Sequence, residues 1–102
     1  MFSFFGFGNH KIKRALSKGA VIIDVRLPAE FDRGRVPESI NIPLDRLHFN
    51  IERLKELKQP IVVCCASGTR SQMAKTILKS AGIKAVVNGG SWKKVLKLYN
   101  EL

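Results

Sequence analysis

The sequence predicts an α/β domain built on a mostly parallel central sheet. Three observations point there. Helical and extended patterns alternate along the chain. Two extended runs, Val21-Ile22-Ile23-Asp24-Val25 and Ile61-Val62-Val63-Cys64, are nearly continuous and rich in β-branched residues, as strands covered on both faces read. The chain has 102 residues, 45% of them hydrophobic. That suffices for one core but not two, and it argues against a disordered chain.

Residues 1–9 read as an apolar leader and 10–102 as one domain. The leader holds Phe2, Phe4, Phe5 and Phe7, yet no basic residue precedes them and no small-residue cleavage site follows, so it is a poor signal peptide. It is expected to pack back on the domain as an edge strand, or else to dock on a partner or a membrane surface. Lys11–Lys18 reads as a short helix with Ile12, Ala15 and Leu16 on one face and Gly19 as its stop. After the first strand, Pro28 opens a helical turn that Gly34 closes. Ile40–Ile42 reads as extended between Pro37 and Pro43. Leu47, Ile51, Leu54 and Leu57 recur at helical spacing, so 46–58 is mostly helical, and Pro60 ends it. The second strand run leads into a small polar loop, Cys65 to Arg70. A helix then begins at Ser71, with Met73, Ala74, Ile77, Leu78 and Ala81 as its apolar stripe and Gly82 as its end. Ala85-Val86-Val87 is a third strand and Asn88-Gly89-Gly90 a tight turn. Ser91 caps a last helix whose inner face is Trp92, Val95, Leu96 and Tyr99.

Charge is uneven. Lys and Arg total 18 against 8 Asp and Glu, a net +10, which favours partners carrying negative charge. From Leu57 to Asn100 there are eight basic side chains and no acidic one. Most of those lysines read as a solvated face; the alternative reading is a positive field around a reactive thiol. No aromatic-interleaved basic motif marks a nucleic-acid module, so no nucleic-acid partner is expected. No apolar run reaches the roughly 18–20 residues of a transmembrane segment. Cys64 and Cys65 are adjacent, too few for a disulfide scaffold and poorly placed to bridge each other. Free thiols without an export signal suggest the cytoplasm. The two cysteines and two histidines lack metal-ligand spacing, so no metal site is expected.

Ligands in such sheets bind beyond the C-terminal strand ends. Here that end is a cysteine, a small-residue loop and a helix N-terminus. Ser67, Gly68 and Thr69 let the backbone curl with its N–H groups inward, as an anion-binding nest. The helix start adds its positive end, and Arg70 adds a charge and a bidentate fork. A thiol in that cradle should ionise more readily. An unperturbed Cys is only about 3% thiolate at pH 7, and a drop of about two units, worth about 2.7 kcal/mol, makes it mostly thiolate. Strand alternation sends Cys64 and Cys65 to opposite sides. Cys64 continues the apolar run and reads as core, while Cys65 opens the loop.

Cys65-Ala66-Ser67-Gly68-Thr69-Arg70-Ser71 resembles the active-site loop of the rhodanese family of sulfurtransferases. Ile23-Asp24-Val25-Arg26, Glu30-Phe31 and Gly34-Arg35-Val36-Pro37-Glu38-Ser39-Ile40-Asn41-Ile42-Pro43 are similar to that family's upstream signature, and Asn88-Gly89-Gly90 with Trp92 to its downstream one. The likeness covers about residues 10–102. Arg35 stands where the family commonly has His, a position expected to be structural.

The resemblance implies a three-layer rhodanese-like domain, with four to five strands and helices on both faces. It also implies a ping-pong sulfur transfer. Cys65 is the catalytic thiolate, taking the outer sulfur of a small anionic donor such as thiosulfate as a persulfide. The acceptor is cyanide, a cellular thiol or a protein. Ala66, Ser67, Gly68, Thr69, Arg70 and Ser71 line the pocket, with Arg70 a candidate for holding the donor anion. No cofactor is implied beyond the covalent persulfide on Cys65.

Asp24, Arg26 and Glu30 read as a brace for the sheet end, His10 and His48 as surface residues, Trp92 and Tyr99 as core. Two other functions compete. One is a non-catalytic persulfide carrier or sulfur-sensing module. The other is a cysteine-dependent phosphatase, because Cys64 and Arg70 are separated by five residues; against it, Val63 stands where such phosphatases usually carry His.

Overall fold

The computed structural model describes residues 2–102, with side chains described from Gly8 onward. The elements in order are α1 (Phe2–Ser17), β1 (Val21–Asp24), α2 (Pro28–Arg33), β2 (Ile40–Asn41), a 3-10 stretch Leu44–Asn50, α3 (Ile51–Lys55), β3 (Ile61–Cys65), α4 (Thr69–Ser80), β4 (Val86–Ser91) and α5 (Trp92–Asn100). The four strands form one parallel sheet in the order β2-β1-β3-β4.

Strand alternation divides the core in two. Ile23, Val25, Ile61, Val63, Cys65 and Val86 face Leu47, Leu54, Ala74 and Leu78 of the 3-10 stretch, α3 and α4. Ile22, Val62 and Cys64 face Ile12, Ala15 and Leu16 of α1 and Val95 and Leu98 of α5. Because β3 lies between two strands and under two helix layers, all five of its residues are buried. This is the three-layer α/β arrangement the sequence predicts, with four strands.

Five details differ from the sequence reading. The backbone of 2–9 continues α1 as helix rather than forming an edge strand; the packing of its four phenylalanines lies outside the described side chains. The segment 46–58 opens as a 3-10 stretch, so only its second part is α-helix, though Leu47 and Leu54 are buried as the spacing requires. β3 runs one residue further, through Cys65, and α4 begins at Thr69 rather than Ser71. Met73 is 52% exposed, off the inner stripe that Ala74 and Leu78 define.

The fifth difference bears on the site. Asn88-Gly89-Gly90 is not a turn but the middle of β4. Val63 pairs with Asn88 and Cys64 with Gly90, so Gly89 is an extra residue, a β-bulge. A Cβ at Gly89 would lie 2.6 Å from Val95 Cγ2 and 2.9 Å from Val62 Cγ1, which only glycine avoids. Asn88, the last residue in regular register before the bulge, lies opposite Val63 on the sheet face that Cys65 and α4 share.

Candidate active site

Cys65 is the last residue of β3, and three residues separate it from α4. Gly68 makes the turn at φ +110°, a conformation open to glycine, and caps the helix. The curl brings the backbone N–H of Gly68 to 3.0 Å and that of Ser71 to 3.3 Å from Cys65 Sγ, while Ser71 Oγ lies 3.5 Å away. Burial is the largest influence on this thiol and opposes ionisation. The Ser71 hydroxyl and the amides of Ser71, Gly68 and Ser67 together outweigh it, leaving the Cys65 pKa below its ordinary value. Over the sulfur, Ala66, Ser67 and Thr69 are exposed and Gly68 and Arg70 half-buried, so the loop itself is the rim of the site.

Cys64 lies on the other face, sealed in the α1–α5 core. Burial pushes its thiol strongly upward, and the nearby Asp24 carboxylate adds to the shift. A neutral thiol under that core cannot serve as nucleophile, which removes the structural basis for a phosphatase reading through Cys64.

The structure assigns Arg70 a partner that the sequence reading did not. Its Nη1 donates to Glu30 Oε1 at 2.8 Å and its Nη2 to Glu30 Oε2 at 3.1 Å. Arg70 is thus committed to Glu30 rather than presenting a free fork to a donor anion. Glu30 Oε1 also accepts the N–H of Leu27 at 2.9 Å. These bonds, Arg70's first, hold the Glu30 carboxyl down to about 2 and raise Arg70.

The expected brace at the sheet end is Asp24 with Arg26. Arg26 Nε and Nη2 donate to the carboxylate at 2.7–2.9 Å, Nη2 also reaches Gly34 O at 2.7 Å, and the guanidinium lies 4.7 Å from the Trp92 ring centroid. Asn41 Nδ2 donates to the carbonyls of Asp24 and Arg26, tying β2 to the same corner.

Asn88 also belongs to the site. Its Oδ1 accepts the Ser71 hydroxyl at 2.7 Å and the Gly90 N–H at 2.9 Å. The sequence signal was the Asn-Gly-Gly motif, whose role in a bulge rather than a turn depends on what packs against Gly89. The pairing of Glu30 with Arg70 left no local signal, because 40 residues separate them.

A family model described as the rhodanese-like domain matches residues 9–98. The chain belongs to the rhodanese-like domain family. A putative sulfur carrier protein, YrkF, of Bacillus subtilis is 36% identical over 67 residues, covering 66% of this chain but 36% of that protein. The thiosulfate sulfurtransferase GlpE of Pseudomonas syringae is 36% identical over 75 residues, covering 72% of this chain and 70% of that one. Among solved structures, a rhodanese with anions from E. coli is 34% identical with a TM-score of 0.68, covering 74% of this chain and 89% of that one. The rhodanese-like domain thus spans about a third of the Bacillus relative and most of the two others. Membership and relatives together support sulfur transfer as the domain's general chemistry. Among the described residues no helix is long and apolar enough to cross a membrane.

Proposed function

We propose that this rhodanese-like domain moves a sulfane sulfur from a small thiosulfate-like anion, through a persulfide on Cys65, to a nucleophilic acceptor. The observation that carries the reading is the ring of N–H groups around Cys65 Sγ at the positive end of α4. Those donors stabilise a thiolate and then the terminal sulfur of a persulfide, which bears the same negative charge. In the first step the Cys65 thiolate attacks the outer sulfur of thiosulfate. A Cys65 S–S bond forms, the donor's S–S bond breaks, and its electron pair leaves with sulfite. In the second step cyanide, a thiolate or an acceptor protein attacks the terminal sulfur and the Cys65 thiolate departs. No external oxidant, metal or cofactor enters this balance. The acid-free stretch from Leu57 to Asn100 draws the anion toward the loop.

The deciding experiment is intact-mass analysis after incubation with thiosulfate. One added sulfur on the peptide containing Cys65, removed by cyanide, is expected. No gain, or a gain assigned to Cys64, would overturn the reading. A second reading, a carrier that loads once and hands its sulfur to a protein, draws support from the Bacillus relative named as a sulfur carrier. Steady-state turnover with thiosulfate and cyanide separates the two: a carrier loads fully but turns over slowly. Both cysteines are free thiols, which fits a reducing compartment such as the cytoplasm.

A further inference from the structure

Ser71 Oγ has one proton and three acceptors around it. Asn88 Oδ1 lies at 2.7 Å, Gly68 O at 3.0 Å and Cys65 Sγ at 3.5 Å. The Asn88 amide is oriented without ambiguity, because the Gly90 N–H can only donate and it meets Oδ1 at 2.9 Å. On the other side Asn88 Nδ2 donates to Gln72 Oε1 at 3.0 Å, so both ends of the amide are held. With a neutral thiol the set is complete: Cys65 S–H donates to Ser71 Oγ, and Ser71 O–H donates to Asn88. A thiolate has no proton to give and needs donors. The two backbone N–H groups serve it in either state, but the Ser71 hydroxyl can turn toward sulfur only by leaving Asn88.

We propose that Asn88 is a positioning residue for the Cys65 sulfur, whose Oδ1 competes with Sγ for the single Ser71 hydroxyl proton. The strand register builds this competition into the fold, since Asn88 pairs with Val63 on the face shared with Cys65, and the bulge that follows at Gly89 turns the Gly90 N–H back to Asn88 Oδ1. Asn88 thereby sets how many donors the anionic sulfur receives, and so how readily it ionises and how tightly the loop holds it. The inference rests on Cys65 being the reactive group of the sulfurtransferase reading. The charged groups at this end of the sheet include Asp24 and Arg26 at the end of β1, Glu30 of α2, Arg70 of α4 and Lys94 of α5, whose Nζ lies against Gly90. The first four form two ion pairs and Lys94 is unaltered in every variant below, so the Ser71 proton is the element the substitutions change beside the sulfur.

The test is the thiolate absorbance of the reduced full chain titrated with pH, for wild type, Asn88→Ala, Asn88→Asp, Gln72→Ala and Ser71→Ala/Asn88→Ala against Ser71→Ala. Cys64 is buried in the α1–α5 core, which raises its thiol pKa, and the same titration of Cys65→Ser supplies the baseline, so the difference follows Cys65. Asn88→Ala removes the shortest acceptor and leaves the hydroxyl to Gly68 O and the sulfur; an anionic sulfur attracts the proton more strongly than a neutral carbonyl, and the midpoint is expected to fall by about half a unit, about threefold in proton affinity. Asn88→Asp holds the proton harder and adds a like charge, and the midpoint is expected to rise by about one unit, about tenfold. Gln72→Ala leaves Oδ1 in place and the midpoint unchanged, and Asn88→Ala has no further effect once Ser71 is Ala. A merely structural Asn88 would shift the midpoint in the same direction in both variants, and that result, or no shift in either, overturns the proposal. If Asn88→Ala fails to fold by thermal melting, Asn88→Ser, which also withdraws the carbonyl, carries the same expectation. The titration needs no sulfur donor, so failure of the sulfurtransferase reading shows separately, as absence of the added sulfur.

Discussion

Glu30 grips Arg70 with both carboxylate oxygens, at 2.8 Å and 3.1 Å, across 40 residues of chain. The pair neutralises the guanidinium that closes the Cys65–Arg70 loop. Glu30→Gln should free the guanidinium for an anionic donor and lower the KM for thiosulfate about three- to tenfold with little change in kcat. Steady-state kinetics over a thiosulfate series checks this. An unchanged KM would show that Arg70 does not meet the donor.

The same pair has a pH signature. The Glu30 carboxyl is held at about 2 in the fold against an ordinary 4.5. A lowered pKa means the pair's contribution is complete above about 4.5 and is lost as pH falls toward 2. Both side chains are about one-third exposed, so solvent limits the contribution to about 1 kcal/mol or less. Urea melts at pH 7 and pH 3 should show a smaller acid-induced loss of stability in Glu30→Gln than in wild type.

The two cysteines should separate cleanly. Cys65→Ser is expected to lower sulfurtransferase activity by about three orders of magnitude, because a serine hydroxyl is not ionised at neutral pH. Cys64→Ala removes a small apolar group from the α1–α5 core and should lower stability by about 1 kcal/mol while leaving persulfide loading intact. Loading assays on the two variants, with melting curves for the second, check both statements.

Reaction with thiosulfate should track the Cys65 thiolate. Since the Ser71 hydroxyl and the loop amides hold this pKa below its ordinary value, the rate should rise with pH and level off earlier than a free thiol, near 8.5, would allow. The pH profile of kcat/KM for thiosulfate measures it, and a midpoint at or above the free-thiol value would contradict the role given to the amides.

Gly89→Ala should be among the most damaging small substitutions. The added methyl would lie within 3.0 Å of Val62 Cγ1, Val95 Cγ2 and Val63 O, between β4 and the core under α5. A loss of about 2–3 kcal/mol is expected by urea unfolding. Because Gly89 joins Asn88 to the Gly90 N–H that holds its Oδ1, residual folded protein should show an altered thiolate titration.

Much of this was legible in the chain. Continuous β-branched runs revealed β1 and β3 because a strand covered on both sides has no polar alternation to hide it. The opposite facing of Cys64 and Cys65 followed from the period of a strand, and Ser91 does cap α5 by accepting the Lys94 N–H. What failed depended on distant neighbours. Asn88-Gly89-Gly90 has turn composition, and only Val62 and Val95 pressing on Gly89 make it a bulged strand. Arg70 looked available because its partner is remote in sequence. Met73 fits a helical stripe by spacing, but the buried face of α4 is narrower than the spacing implies.

The back-to-back placement of the two thiols has a kinetic consequence. An enzyme with a second thiol beside its first can collapse a loaded sulfur into an internal disulfide and release it as sulfide. Here the neighbouring thiol is walled off behind the sheet, so no resolving partner exists within reach of Cys65 on this strand. On the proposed function, a sulfur carried by Cys65 therefore waits for a visitor, and the lifetime of that loaded state is set by whatever arrives at the rim.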